Sequence, residues 1–250
     1  MTVFDKPEDH IISLEKFLKL KDSRIYISSW DSGRWMYRGV PDFTYGLIPS
    51  IGRLYKEGIV TDKELLQKLE ISAFNEFWND TYSGFREKDQ FIMLAVAQHH
   101  GLKTRLLDWT FSPLVALFFA VENKAEFEID GALYSFQIQS TVNDFKGAES
   151  PFDTNLDEYH ILVSPDLSPR IKAQQGVFQL FKDPTQEFEN AYNLGKFRIP
   201  AKNKRKIKSD LFDLGISYKS VFPDIDGICQ TIDYWRLSNE YDTGMNSTKP

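Results

Sequence analysis

Residues Leu114, Val115, Ala116, Leu117, Phe118, Phe119, Ala120 and Val121 follow one another without a polar side chain, and Ser112-Pro113 stands directly before them. A capping serine and a proline suited to a first turn start a helix there. A helix that is apolar on nearly every side has to be buried between layers. At eight residues it is far short of the ~20 that a membrane span requires. With 250 residues, the chain can remove roughly 70–75% of its unfolded surface from water and needs no staples. Cys229 is the single cysteine, so no internal disulfide and no cysteine cage for zinc is expected. The four histidines, two of them adjacent, do not predict a metal site.

Around that helix the pattern alternates between periods. Apolar spacing predicts helices over 10–20, 61–82 and 88–100, the second opened by a capping box of Thr61 and Glu64, the third stopped by Gly101. Strands are expected over 24–30, 35–39, 132–139, 176–181 and 197–207, with further helices over 183–194 and 224–237. Residues 140–169 are polar and carry no clear period. The elements interleave without a βαβ rhythm. The expected fold class is therefore α+β, a mixed and largely antiparallel sheet flanked by helices. One domain over 1–237 is expected, with a small helical lobe over 54–100 and a flexible tail over 238–250.

Net charge is −6, which argues against a protein that coats nucleic acid non-specifically. Asp5, Glu8 and Asp9 stand where a secretory leader would carry a basic patch, so a cytoplasmic protein is expected. One local exception is the run of Lys196, Arg198, Lys202, Lys204, Arg205, Lys206 and Lys208, which contains no acid. It reads either as a nucleic-acid or phosphate contact or as a solvated or edge-strand segment, the second being the commoner use.

Chemistry concentrates between Ala97 and Pro113. His99, His100, Arg105, Asp108, Thr110 and Ser112 lie there beside two apolar helices, and buried polar groups need partners or a cavity. Free amides at the start of the Pro113 helix, with Thr110 and Ser112, suit an anion. A purely capping role for Asp108, Thr110 and Ser112 is equally consistent. Adjacent side chains on a helix diverge, so His99 and His100 cannot both face one ion. Tyr37-Arg38-Gly39 places an arginine and a residue without Cβ at a strand end, an arrangement that admits a flat or anionic ligand.

Taken in order, these segments resemble the FRG domain family. The match rests on Tyr37-Arg38-Gly39, Pro49-Ser50-Ile51-Gly52-Arg53, Ala97-Gln98-His99-His100-Gly101 and the block from Thr104 to Leu114. It continues through Asp130-Gly131-Ala132-Leu133-Tyr134, Gln174-Gln175-Gly176 with Phe178, and Phe222-Pro223-Asp224-Ile225-Asp226-Gly227. The resemblance implies a bacterial or phage setting, in which some members are associated with toxins and antiviral defence.

A second resemblance is to the ADP-ribosyltransferase fold, and it implies an ADP-ribosyltransferase-like core with NAD or a related nucleotide as ligand. On that resemblance Arg38, Asp108, Thr110 and Gln174 would be catalytic. Tyr37, Gly39, Arg53, His99, Arg105, Trp109, Ser112 and Gln175 would hold the nucleotide, and the basic run would meet a protein or nucleic-acid acceptor. No metal is implied. The sequence departs from that pattern where a later strand should bring a glutamate: it has Gln174 and Gln175, and no acid between Leu167 and Asp183. The same residues are also compatible with a non-catalytic sensing or interaction module. A nuclease would have to draw on Asp108, His99, His100, Asp224 and Asp226.

Overall fold

The computed structural model describes residues 1–23, 34–81, 84, 89–138, 143, 148–153, 155–163, 168–189 and 193–245. In chain order the first half runs β1 (Thr2–Phe4), α1 (Leu14–Ser23), β2 (Arg34–Val40), α2 (Ser50–Lys56), α3 (Lys63–Thr81), α4 (Gln90–His99), β3 (Leu106–Thr110) and α5 (Pro113–Val121). The second half runs β4 (Gly131–Ile138), β5 (Tyr159–Leu162), α6 (Pro169–Ala173), β6 (Gly176–Phe181), β7 (Leu194–Ile199), α7 (Ala201–Asp213), α8 (Tyr218–Val221) and α9 (Ile225–Met245). The strands form one sheet in the order β1-β7-β4-β2-β3-β6-β5. Only β1 and β7 are parallel; every other neighbouring pair is antiparallel. The fold is the mixed, largely antiparallel α+β class expected from the pattern. Among the described residues no helix is long and apolar enough to cross a membrane.

The apolar helix α5 is buried as its composition requires, with Val115, Ala116, Leu117, Phe118, Ala120 and Val121 inside. It packs with Ile11 and Phe17 near α1 and with Ile207 and Leu211 of α7. Gly39 makes this approach possible. A Cβ there would lie 1.7 Å from the Ala116 carbonyl oxygen and 2.8 Å from the Ala120 nitrogen. The missing side chain is thus filled by the backbone of α5, which corrects the reading of Gly39 as a space kept for a ligand.

A second core gathers Met36, Val40, Leu107, Trp109 and Phe136 with Phe188 packed against it. A third joins Phe74 of α3 and Leu94 of α4 to Leu106, Phe178 and Leu180. Helices α2, α3 and α4 together occupy the region expected to be helical.

Several local expectations are corrected. Residues 183–189 form turns, not a helix: Asp183 Oδ1 accepts from the Thr185 amide at 2.9 Å and from its hydroxyl at 2.6 Å, and Pro184 intervenes. The strand expected over 197–207 ends at Ile199, because Pro200 closes it and caps α7. Asp62, not Thr61, caps α3, its Oδ1 accepting from the Glu64 amide at 2.8 Å. The unassigned stretch 140–169 hides β5. Helix α9 extends to Met245, beyond the expected Leu237. The strand expected over 24–30 lies outside the described residues.

Candidate functional site

The sheet has a gap. Strand β2 pairs with β4 from Arg34 to Val40 and β3 pairs with β6 from Leu106 to Thr110, yet β2 and β3 meet only at Tyr37 opposite Thr110. Continuing that register would set Gly39 against Asp108. Instead both strands line a cleft of about 760 Å³. Arg38 reaches across the gap, and its Nη1 donates to the Asp108 carbonyl at 2.5 Å.

Arg38 is the residue most out of balance in this cleft. Its side chain is 16% exposed, and its closest carboxylate, Asp108 Oδ2, is 4.0 Å away. Its Nε is buried without a hydrogen-bond partner. Burial pulls the guanidinium pKa below its ordinary value, opposed by the Asp108 charge and reinforced by Arg53. Two more guanidiniums line the same space, Arg53 and Arg170. Arg53 Nε donates to the Ile48 carbonyl at 3.4 Å, and Arg170 lies 4.2 Å over the Phe222 ring. Among the described residues neither is paired with a carboxylate. Unpaired guanidiniums converging on one concavity make a site for an anion with several oxygens.

His99 borders the cleft at the end of α4, its Nε2 3.4 Å from the Ser168 hydroxyl. Burial, and then the charges of Arg170 and His100, hold its pKa below the usual value, so the imidazole is neutral at neutral pH. The two histidine rings stand at 84° to each other, diverging as adjacent helical positions must. Asp108 accepts from Gln98 Nε2 at 2.7 Å, and Gln98 Oε1 in turn accepts a hydrogen bond from the Thr104 hydroxyl. Glu57 and Glu122 are the other acids on the wall.

Residues 33–128 match the FRG domain profile. The chain carries an FRG domain. No curated protein and no solved structure matches the chain. The matched FRG segment supplies Arg38, Arg53, Gln98, His99, Asp108, Thr110 and Glu122 to the cleft, whereas Arg170 and Gln174 come from beyond it.

The cleft brings together Tyr37, Arg38, Gly39, Arg53, His99, Asp108, Trp109, Thr110 and Gln174 of the residues named from sequence. Tyr37 and Trp109 are only 1% and 3% exposed, and the Trp109 indole donates to Gln179 Oε1 at 2.9 Å. Neither offers an open aromatic wall; Tyr45 and Phe119 are the more accessible rings.

Arg105, Ser112 and Gln175 are not on the cleft wall. Arg105 is buried in an ion pair with Glu70. Two amides at the start of α5 are occupied: Ser112 N donates to Thr110 Oγ1 at 2.9 Å and Val115 N to Ser112 Oγ at 3.3 Å. These bonds are those of the capping reading of that helix start. The Thr110 hydroxyl donates to the Gln174 carbonyl at 2.6 Å, and the Gln175 carbonyl accepts from Phe111 N at 3.0 Å.

Sequence reasoning named Gln98 only within the family match and assigned neither Arg170 nor Glu122 to the site. The one available signal was Ser168-Pro169, a cap and first turn like Ser112-Pro113, which starts the helix carrying Arg170. The nuclease candidates do not assemble. Asp224 Oδ1 caps α9 by accepting from Gly227 N at 2.8 Å, and no group of three metal-ligating side chains occurs among the described residues.

Most of the basic run is engaged within the fold. Lys196 lies 4.5 Å over the Phe43 ring, and Arg198 pairs with Asp5 and Asp130. Lys204 is buried and donates to the Pro41 and Glu126 carbonyls. Arg205 and Lys206 pair with Glu128 and Asp210, while Lys202 is exposed. Lys208 donates to the Glu122 carbonyl at 2.7 Å and to the Tyr218 hydroxyl at 2.9 Å, with the Tyr218 and Tyr234 rings each 4.8 Å away.

Burial pushes the Lys208 pKa down to about 8 from an ordinary 10.5, against the pull of Glu122. Between those values the unfolded chain binds a proton that the native state does not, so this lysine's contribution to stability rises with pH. The penalty is fully present below pH 8 and is relieved above it. Comparing denaturant unfolding of wild type and Lys208→Met from pH 7 to 9.5 should show the difference shifting in favour of wild type. A difference that stays flat would mean that Lys208 titrates as in water.

Proposed function

We propose that the cleft binds NAD or a related nucleotide and that the protein acts on it as an ADP-ribosyltransferase or NAD glycohydrolase. On this reading the chain works as one FRG unit with an ADP-ribosyltransferase-like core, and serves as a bacterial cytoplasmic toxin or antiviral effector. The observation that carries the reading is Arg38, a desolvated strand-end guanidinium with an unsatisfied Nε and only a 4.0 Å contact to the Asp108 carboxylate. A diphosphate would offset that desolvation, and Arg53 and Arg170 would share its charge. The cleft volume of about 760 Å³ falls within the ~300–1,000 Å³ usual for small-molecule sites.

A binding module without turnover is the second reading, and Gln174 favours it. Its side chain donates to the Val221 carbonyl at 3.3 Å, and its own carbonyl holds Thr110. It braces the wall and brings no carboxylate. Incubating the protein with NAD and following free nicotinamide by mass spectrometry separates the two. Release supports the transferase or glycohydrolase reading. Binding with no release, in the presence of cell lysate as a source of acceptors, supports the sensor.

A further inference from the structure

The large cleft has a smaller neighbour. A second cavity of about 250 Å³, walled by Tyr218, Phe222, Asp224 and Gln230 among others, lies beside it, and the two share Glu122 and Arg170. A group-transfer site needs one compartment for the donor and another from which the nucleophile approaches, and the reacting carbon lies where they meet. Of the two shared residues, Glu122 is the one that can stabilise positive charge developing on a sugar.

Its backbone is held on two sides. The Glu122 carbonyl accepts from Lys208 Nζ at 2.7 Å and from the Tyr218 hydroxyl at 2.8 Å, so α7 and α8 both fix the end of α5. Among the described residues its carboxylate makes no ion pair within 4.0 Å, although the Lys208 ammonium and the Tyr218 hydroxyl lie near enough to feel its charge. The other acids on the cleft wall are less suited. Asp108 accepts from Gln98 and faces Arg38, and Glu57 is exposed at the end of α2.

We infer that Glu122 is the catalytic carboxylate of the transfer step, an inference that rests on the NAD reading above. In that step the bond between C1′ of the ribose and the pyridinium nitrogen breaks. Its electron pair goes to the nitrogen, and neutral nicotinamide leaves. The charge developing on the sugar faces the Glu122 carboxylate. Water from the smaller cavity forms the new C1′–O bond and releases its proton to solvent, giving ADP-ribose.

The test is a pair of measurements on wild type, Glu122→Gln and Glu122→Asp: NAD affinity by calorimetry and nicotinamide release by mass spectrometry. Glu122→Gln is nearly isosteric, and its unfolding midpoint should stay at the wild-type value. The expected result is affinity within about threefold of wild type and release slowed at least ~100-fold, with Glu122→Asp retaining more turnover than the glutamine variant. Release at the wild-type rate in Glu122→Gln overturns the assignment while leaving the NAD reading intact. A folded Glu122→Gln protein that no longer binds NAD also overturns it, because Glu122 would then hold the ligand in its ground state. A wild-type protein that binds NAD and releases nothing sinks the transfer reading itself, and the Glu122 assignment falls with it.

Discussion

Replacing Arg105 with alanine is expected to destabilise the fold by about 3–5 kcal/mol, the range for breaking one side of a buried ion pair. Glu70 Oε1 accepts from the Arg105 backbone amide at 2.7 Å, while Oε2 accepts from Nε at 3.0 Å and Nη2 at 2.8 Å. Nη1 donates to the Lys182 carbonyl at 3.3 Å and the Pro151 carbonyl at 3.4 Å, and the guanidinium lies 4.7 Å over Phe152. One side chain therefore ties α3 to the start of β3, the end of β6 and the loop at 151. Its removal leaves a carboxylate that is 1% exposed with no cation beside it. Urea unfolding measures the loss directly. A cost under about 1 kcal/mol would show that water reaches Glu70 once Arg105 is gone.

Arg38→Ala is expected to behave in the opposite way, leaving the fold within about 1 kcal/mol of wild type and removing nicotinamide release. The substitution deletes one charged hydrogen bond, from Nη1 to the Asp108 carbonyl, worth about 1.5–3 kcal/mol. It also deletes a buried donor that had no partner, and the cost of keeping that donor from water. These nearly cancel. A large loss of stability on Arg38→Ala would make the arginine a brace between β2 and β3, and the ligand reading would lose its main support. Folded protein with full turnover would equally place the anion site elsewhere.

The contrast between these two arginines marks how far the sequence can be read. Arg105 stands in the dense polar segment and Arg38 at the end of a largely apolar strand, and both are named from sequence for the nucleotide site. Arg105 differs because of Glu70, which sits 35 positions earlier in the middle of an ordinary amphipathic helix. No local pattern announces that pairing. Gly39 is a similar case: its position at the strand end was legible, but the tight contact with Ala116 depends on how α5 lies across the sheet.

What was legible followed from local physics. Ser112-Pro113 and the apolar residues after it gave α5 and its burial, and alternation gave β2, β4 and β6. The basic run was misread where Pro200 changes the period from strand to helix. Lys204 and Lys208 then fall on the inner side of α7 with Ile207 and Leu211. The convergence of Arg38, Thr110 and Gln174 was an expectation that sequence spacing had no means of testing. It arises from the antiparallel order of β2, β3 and β6, which brings three distant segments to one cleft.

The most direct test of the central claim is calorimetric titration of NAD into wild type and Arg38→Ala at one salt concentration. Saturable binding to wild type at a single site is expected, weakened at least ~30-fold in a variant whose unfolding midpoint is unchanged. That factor corresponds to about 2 kcal/mol, within the range for a charged hydrogen-bond partner. No heat with wild type, or equal affinity in the two proteins, would contradict the assignment of the cleft to an NAD-type ligand held by Arg38.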